Sequence, residues 1–164
     1  KVETAISPIL DSLQTIPPLI YAIPFVMIFT VGPVPGVVAA VVYAIPPGIR
    51  LTALGIRQVN PESIEAATTF GASQRQVLWG VRIPLAMPSI ILAVNQMVMM
   101  VLAMAIIAGM VGGGGLGYRS IEALTGANGA GLGIEVGLAV VIMATILDRL
   151  TQSAARRMQA PAAV

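Results

Sequence analysis

Side chains that could carry chemistry are few in this chain, and their most ordered group lies between Arg50 and Arg82. Cysteine and histidine are absent from the 164 residues, which removes thiol nucleophiles, disulfides, Cys/His metal sites and imidazole acid-base catalysis. The segment instead holds Glu62 and Glu65 among small residues, a glycine and arginines. This polar island in an apolar protein predicts a membrane subunit driven by a soluble partner, and not an enzyme.

A short helix is predicted to begin next to Asn60. Asparagine is a favourable N-cap, and Pro61 suits the first helical position because an N–H there would have no partner in the helix. Glu62 and Glu65 place negative charge near the start of the helix, where the helix dipole favours it. Gly71 can end the helix because glycine adopts the left-handed conformation without a steric penalty.

A second helix is predicted beyond the glycine. Ser73 and Gln76 form a capping-box signature, and the helix that they start would continue toward Pro84. The predicted order is a helix, a glycine bend and a second helix that leads into the membrane. On the first helix the small Ala66 and Ala67 allow another surface to approach the backbone closely, so the helix could seat in a groove of a partner.

The composition places the chain in a membrane. Apolar residues make up 57% and charged residues 10% of the sequence, and the mean hydropathy is +0.91, a balance that a water-soluble protein does not need. Neither the interval from Asp11 to Arg50 nor that from Arg82 to Arg119 contains a charged residue. The alternation typical of a β-barrel is absent. We therefore predict an all-α membrane protein, a multi-span helical bundle.

The charge-free intervals divide into four predicted spans. A turn signal from Gly32 to Gly36 splits the first interval into two arms. Because these arms are short and rich in proline, kinks or a re-entrant hairpin remain alternatives to two full spans. The predicted spans cover about residues 15–31, 36–50, 86–111 and 131–148.

All four spans are assigned to one transmembrane domain, residues 1–164. The chain opens on Lys1 and not on methionine, so the domain is expected to be N-terminally incomplete. The glycine-rich stretch from Gly112 to Ala130 is predicted to be irregular. Glu135 lies close to one end of the fourth span.

The placement of arginines orients the predicted bundle. Arg119 alone lies in the long segment between the third and fourth spans. The positive-inside rule puts the 50–83 segment and the C-terminal tail in the cytoplasm, and an even number of crossings puts Lys1 on the same side. The other arginines lie between the second and third spans or after the fourth: Arg50, Arg57, Arg75, Arg82, Arg149, Arg156 and Arg157. Their scatter predicts topology determinants and no nucleic-acid patch.

Polar residues inside the third span are candidates for a translocation path. Asn95 and Gln96 are the polar exceptions, and Met97, Met100 and Met104 follow on adjoining helical turns. Polar side chains at this depth face protein or a water-filled path, so hydrogen bonding between helices and lining of the path both stay open. The methionines are interpreted mainly as packing residues, although their flexibility suits an interface that repacks.

The glycines after the third span resemble a nucleotide-binding pattern but lack its context. Gly112, Gly114 and Gly117 satisfy G-x-G-x-x-G, yet a predicted membrane helix precedes them and no P-loop lysine follows. We instead expect Gly114, Gly115 and Gly117 to form a flexible, close-packing outer loop, although a plain loop explains these glycines equally well.

At the polar island the chain resembles the membrane permease subunits of binding-protein-dependent ABC importers. The cytoplasmic loop of that family carries the pattern EAA, three residues, G, nine residues, I-x-L-P. Val81 and Ile83 replace the isoleucine and the leucine conservatively, and Pro84 falls in register. The outright matches are Glu65, Ala66, Ala67 and Gly71.

The resemblance extends over nearly the whole chain. Several phrases are most similar to the glycine betaine, proline betaine and choline branch of the family. They comprise residues 11–15, 46–52, 71–73, 84–88, 114–117 and 148–152.

The resemblance implies a type I ABC importer permease in the plasma (inner) membrane that acts as a pair. Two cytoplasmic ATPase subunits, which would bind ATP and Mg, would dock on the coupling helices, and an extracytoplasmic binding protein would deliver the solute. No cofactor is implied on this chain. ATP binding would swing the spans from inward-facing to outward-facing. The residues implied at the ATPase contact are Glu65, Ala66, Ala67, Gly71, Ala72, Ser73 and Pro84.

Two alternatives stay open. The same architecture could serve another small solute, such as an amino acid. A secondary transporter driven by an ion gradient would instead show internal repeats and ionisable residues within its spans, and neither is evident. With three Phe, three Tyr and one Trp and no close cluster among them, an aromatic cage for a quaternary ammonium ion is not expected here. High-affinity selection is therefore expected on the binding protein.

Overall fold

The computed structural model describes the backbone of residues 2–126 and 129–159, all of it in helices and the short turns between them. Side chains are described for residues 6–126 and 129–154. Lys1, two residues of the predicted outer segment (127 and 128) and residues 160–164 lie outside this range. The same holds for the side chains of Arg156 and Arg157, so the parts of the topology prediction that use them are not tested.

Eight α-helices are present in the described residues, and π-helical turns at Leu78–Arg82 and Gly109–Gly113 flank the sixth. The first π-helical turn joins α5 to α6, so the chain is helical from Gln74 to Met110, and the backbone departs from helical angles at Val111 and Gly112. The helices are α1 Val2–Thr15, α2 Pro18–Phe29, α3 Pro33–Arg57, α4 Pro61–Thr69, α5 Gln74–Val77, α6 Ile83–Ala108, α7 Gly115–Thr125 and α8 Gly129–Gln159.

Three segments of the described chain are long and apolar enough to cross a membrane: Pro33–Arg57, Gln74–Gly113 and Gly129–Ala154. A bilayer core requires about 20 helical residues, and each segment exceeds that length. Helix α3 begins at Pro33, within the turn predicted from Gly32 to Gly36. It continues past the predicted end of the second span near residue 50, as far as Arg57.

The N-terminal helices form a bent pair. Residues Ile6–Thr15 and Pro18–Phe29 meet at an angle of 94°, and α2 contains only 12 residues. Pro17 and Pro18 lie at the break, where their rings end α1 and start α2. The hydroxyl of Tyr21 donates a hydrogen bond to the carbonyl of Leu13, which satisfies one of the free carbonyls at the end of α1. By length and composition the pair could be one broken span or a re-entrant segment, and the first span at about residues 15–31 stays a prediction.

The helices group into two compact units. The first comprises Lys1–Pro46 and Met97–Asp148. Its core is built from small residues and one long side chain, with Met104 completely buried, which confirms the packing role expected of this methionine. Gly36 lies against Ala108, where a Cβ would come within 2.2 Å of the alanine side chain. The buried cluster consists of Tyr21, Ala22, Ala39, Ala40 and Met104.

Two aromatic residues that are distant in the sequence pack together in this unit. The rings of Tyr21 and Tyr43 meet edge to face with centroids 5.5 Å apart. The packing of α2 against α3 brings them together, and their separation in the sequence concealed the pair. Because Tyr21 is buried and its hydroxyl is already bonded, this pair packs the core and leaves no open aromatic cage.

The second unit comprises Pro47–Gln96 and Arg149–Val164. Val59, Val77 and Ala86 are buried in it. A Cβ on Gly55 would lie 2.3 Å from the Cβ of Ser89, so α3 and α6 approach closely at this point. This unit holds the polar island, and its packing anchors both ends of that segment.

The prediction of an irregular stretch from Gly112 to Ala130 is wrong for most of its length. Residues Gly115–Thr125 form α7, and α8 already begins at Gly129. The glycine content of the stretch argued against a helix, but the glycines cluster at the turn before α7 and at its first residues. Gly112, Gly114 and Gly115 have positive φ angles, which let the chain reverse direction there.

Candidate functional site

The first helix of the polar island begins as its sequence predicts. The Asn60 side chain accepts a hydrogen bond from the backbone N–H of Glu62 at 3.0 Å and donates one to the Glu62 carboxylate at 3.3 Å. Pro61 occupies the first helical position. The N-cap prediction is therefore confirmed, and the start of α4 is held by interactions among three consecutive residues.

The end of α4 is a glycine cap. Gly71 has φ +81°, the left-handed conformation that the sequence predicts. Its N–H donates to the carbonyl of Thr68 at 2.9 Å, and the N–H of Ala72 donates to that of Ala67 at 3.1 Å. These paired bonds define a Schellman motif, which satisfies carbonyls that would otherwise lack partners. The bend is therefore rigid and depends on one residue without a Cβ.

A capping box follows the bend directly. The Ser73 N–H donates to the Gln76 side chain at 2.8 Å, and the Gln76 N–H donates to the Ser73 hydroxyl at 3.4 Å. The helix that starts here passes through the π-helical turn into α6, with Pro84 in the first turn of α6. The predicted order of helix, bend and helix is confirmed. One continuous helix thus connects the bend to a candidate membrane span.

Most of the residues proposed for a partner contact are accessible. Ala67 and Ala72 are partly buried. The exposed ones are Glu65, Ala66, Gly71, Ser73 and Pro84. Phe70 is not among the predicted contact residues, yet its side chain is 91% exposed. The sequence does contain a signal for this residue, because Phe70 is an aromatic residue directly before the predicted bend at Gly71.

The polar residues of the third span do not behave alike. The Asn95 side chain accepts a hydrogen bond from the hydroxyl of Thr151 on α8, a partner 56 residues away that the sequence did not single out. Gln96 is exposed, and Met100 is partly buried. For Asn95 the structure thus supplies the interhelical hydrogen bond that was one of the two readings. Lining of a path by Gln96 and Met100 stays a prediction.

Removing this hydrogen bond is expected to weaken the second unit modestly. Thr151→Val keeps the shape of the side chain and removes the donor, and we expect a loss of about 1 kcal/mol in the free energy of unfolding. Unfolding in mixed detergent micelles measures it. Thr145→Val is the matched control, because the Thr145 hydroxyl bonds only to the Val141 carbonyl of its own helix. Equal stabilities for the two variants would show that the Asn95 contact is not formed.

Of the three predicted outer glycines, Gly117 packs tightly against α6. Gly117 is buried, and a Cβ on Gly109 would lie 2.3 Å from its backbone carbons. The start of α7 therefore rests directly on the end of α6. Gly114 and Gly115 have open space around them and positive φ angles, so they shape the turn. The predicted close packing is present at Gly117, and the flexibility of this turn stays a prediction.

The first unit also contains an apolar cavity of about 460 Å³. Its walls come from α3, α6, the turn before α7 and Met143 of α8, and they carry no charged side chain. Small residues such as Gly36, Ala40 and Ala105 create the space. A small solute would fit by volume, but the walls offer it only backbone groups and apolar contacts.

An exposed ion pair joins α7 to α8. The guanidinium of Arg119 lies 3.9 Å from the carboxylate of Glu135, and both side chains are more than half exposed. An ion pair of this kind contributes little to stability because water and salt screen it. It gives Glu135 a partner within the chain.

The model of the family described as "Binding-protein-dependent transport system inner membrane component" matches residues 1–160. The chain belongs to this family. It is therefore an integral membrane component of a transport system, and the capped helices described above correspond to the segment by which it resembled ABC importer permeases.

Curated relatives cover nearly all of this membrane component. The chain is 49% identical over 152 residues to the glycine betaine/carnitine transport permease protein GbuB of Listeria monocytogenes, covering 93% of the chain and 54% of GbuB. It is 50% identical over 151 residues to the glycine betaine/proline betaine transport system permease protein ProW of Escherichia coli, covering 92% of the chain and 42% of ProW. The chain spans about half the length of these relatives.

Solved structures share the fold of this membrane component. A chain of the MetNI methionine ABC transporter, in an inward-facing crystal structure, superposes with a TM-score of 0.82 at 24% identity, covering 96% of this chain and 76% of that one. A second inward-facing crystal form gives a TM-score of 0.84 at 22% identity. The fold is thus that of a type I ABC importer permease.

Proposed function

We propose that this chain is part of a non-catalytic permease subunit of an ATP-driven importer, and that residues 60–84 couple it to a cytoplasmic ATPase. One observation carries the proposal: an exposed helix, a rigid bend and a continuous helix link α4 to the candidate span Gln74–Gly113. A push on α4 is transmitted to α6 because no flexible joint intervenes. The contact residues are Glu65, Ala66, Ala67, Gly71, Ala72, Ser73 and Pro84.

The proposed arrangement in the membrane follows the arginines. The 50–83 segment and the C-terminus face the cytoplasm, where the ATPase binds ATP and Mg. An extracytoplasmic binding protein supplies the solute on the other side. A second permease copy completes the path. Helix α8 offers a surface for this second copy, since only 6% of its apolar window is buried within the chain.

The proposed solute is glycine betaine, proline betaine, choline or a related compatible solute. The relatives that match over nine-tenths of this chain are named as permeases for such compounds. Solute selection is assigned to the binding protein, because the apolar cavity of the first unit has no charged group to bind a carboxylate. Competition by amino acids for the binding protein, without competition by betaines, would contradict this assignment.

The ATPase contact is tested by enlarging Ala66. This side chain is exposed on α4, and Ala66→Leu keeps a strong helix former while adding bulk where we expect close approach. We expect co-purification of the ATPase with the full-length permease to fall about tenfold or more. Ala154→Leu is the matched control, because Ala154 is an exposed alanine of α8 outside the segment.

Two results would contradict the proposal. Co-purification that survives Ala66→Leu and other changes in residues 60–72 would remove the coupling segment from the contact. Uptake into ATP-depleted vesicles under an imposed ion gradient would favour a secondary transporter. Family membership favours the ATP-driven mechanism.

A further inference from the structure

Phe70 is the most exposed large apolar side chain among the described residues, with 91% of its surface accessible. Other highly exposed apolar residues, such as Met27 and Val31, lie in or next to apolar helices, where lipid can cover them. Phe70 instead lies between the candidate spans Pro33–Arg57 and Gln74–Gly113. Phe70 therefore exposes an aromatic ring in a part of the chain that the candidate spans do not include.

The backbone that carries the ring is held in place on both sides. The N–H of Phe70 donates to the Ala66 carbonyl at 3.2 Å. The Schellman bonds of Gly71 and Ala72 close the chain directly after it. Little conformational entropy remains to be lost in the backbone when the ring binds, and this preorganisation favours affinity.

The surroundings of the ring leave it uncovered. Ala66 lies one helical turn before Phe70 on the same face and is too small to shield it. The hydroxyls of Thr68 and Thr69 both donate to the Glu65 carbonyl, at 2.8 and 2.9 Å. These hydroxyls are satisfied within the helix, so the ring is the dominant apolar feature at this end of α4.

The charges on α4 define what must surround the ring in a complex. Glu62 and Glu65 are exposed, and α4 contains no basic residue. Within the described part of the chain, neither carboxylate forms an ion pair. Basic groups on a partner that covers the surface of α4 would therefore complement these two carboxylates.

Resting on the proposed function, we propose that Phe70 is the anchor of the coupling segment. Its ring inserts into an apolar pocket of the cytoplasmic ATPase, and basic side chains at the rim of that pocket face Glu62 and Glu65. In this complex the Phe70 ring supplies most of the apolar contact area between the coupling segment and the ATPase, and the motif residues supply the rest. Such central aromatic residues dominate binding at many interfaces.

The test is a titration of the purified ATPase onto the full-length permease in nanodiscs. We expect Phe70→Ala to weaken binding about tenfold, and Phe70→Leu to weaken it less because a branched apolar side chain remains. Leu124→Ala is the matched control, since Leu124 is 81% exposed but lies in α7, outside residues 60–84. The control is expected to bind like the wild type. Glu62→Gln with Glu65→Gln should reduce the dependence of binding on salt.

The outcomes separate this inference from the proposed function. If the wild type does not bind the ATPase, the proposed function fails. If the wild type binds and Phe70→Ala binds within twofold of it, the anchor is overturned and the coupling segment stands. A photo-reactive benzoylphenylalanine in place of Phe70 provides a second readout. Adducts with the ATPase support the anchor, and adducts with lipid overturn it.

Discussion

Replacing Gly71 with valine is expected to reduce solute uptake about 30-fold or more, while the permease still reaches the membrane. Gly71 has φ +81°, and a branched side chain there costs about 2 kcal/mol or more. A strain of about 2 kcal/mol changes the equilibrium constant between the capped and the opened bend about 30-fold in favour of the opened bend. Once the bend opens, α4 no longer transmits a push to α6. Uptake by cells, normalised to the amount of permease in the membrane, measures the effect.

Controls for Gly71 separate backbone strain from steric bulk. A Cβ on Gly71 meets no atom within 4 Å, and neither does one on Gly80. Gly80→Val therefore adds the same side chain in equally open space but without the positive φ, and uptake is expected to persist. Gly71→Asn should retain most of the activity, since asparagine tolerates the left-handed conformation. Normal uptake in Gly71→Val would show that the bend does not couple the two helices.

Replacing Gly109 with alanine is expected to destabilise the packing of α7 on α6 strongly. A Cβ there would lie 2.3 Å from the Cα and carbonyl carbon of Gly117 and from the Tyr118 nitrogen. All three are backbone atoms, so no side chain can rotate away. Relief requires α7 to move off α6, and overpacking of this kind costs about 3 kcal/mol. That loss is roughly a 100-fold change in the ratio of folded to unfolded protein.

Thermal unfolding of the detergent-solubilised permease measures this effect. A loss of about 3 kcal/mol corresponds to a fall of about 6–12 °C in Tm for a domain of this size. Gly137→Ala is the matched control, because a Cβ at Gly137 meets no atom within 4 Å. Alanine is also the better helix former by about 1 kcal/mol, so that variant should be as stable as the wild type or more stable. Equal Tm values for both variants would contradict the packing of α7 on α6.

Local signals account for what could be predicted of the coupling segment. The caps at Asn60 and Ser73 and the bend at Gly71 depend on residues within a few positions of one another, and the structure forms each of them. The charge-free intervals likewise mark apolar segments, because a membrane-spanning helix is recognised by composition alone. Helix α7 was missed because glycine lowers helix propensity, whereas packing against Gly109 compensates for it.

The amino-acid sequence by itself determined the membrane class, the helical content and the cap chemistry of residues 60–76, since these follow from composition and from contacts between near neighbours. Only the tertiary structure decided which distant groups meet, such as Asn95 with Thr151, Tyr21 with Tyr43 and Gly109 with Gly117. It also decided that Phe70 is exposed. Burial and long-range contact depend on how helices pack, and periodicity within one helix does not specify which neighbour covers each face.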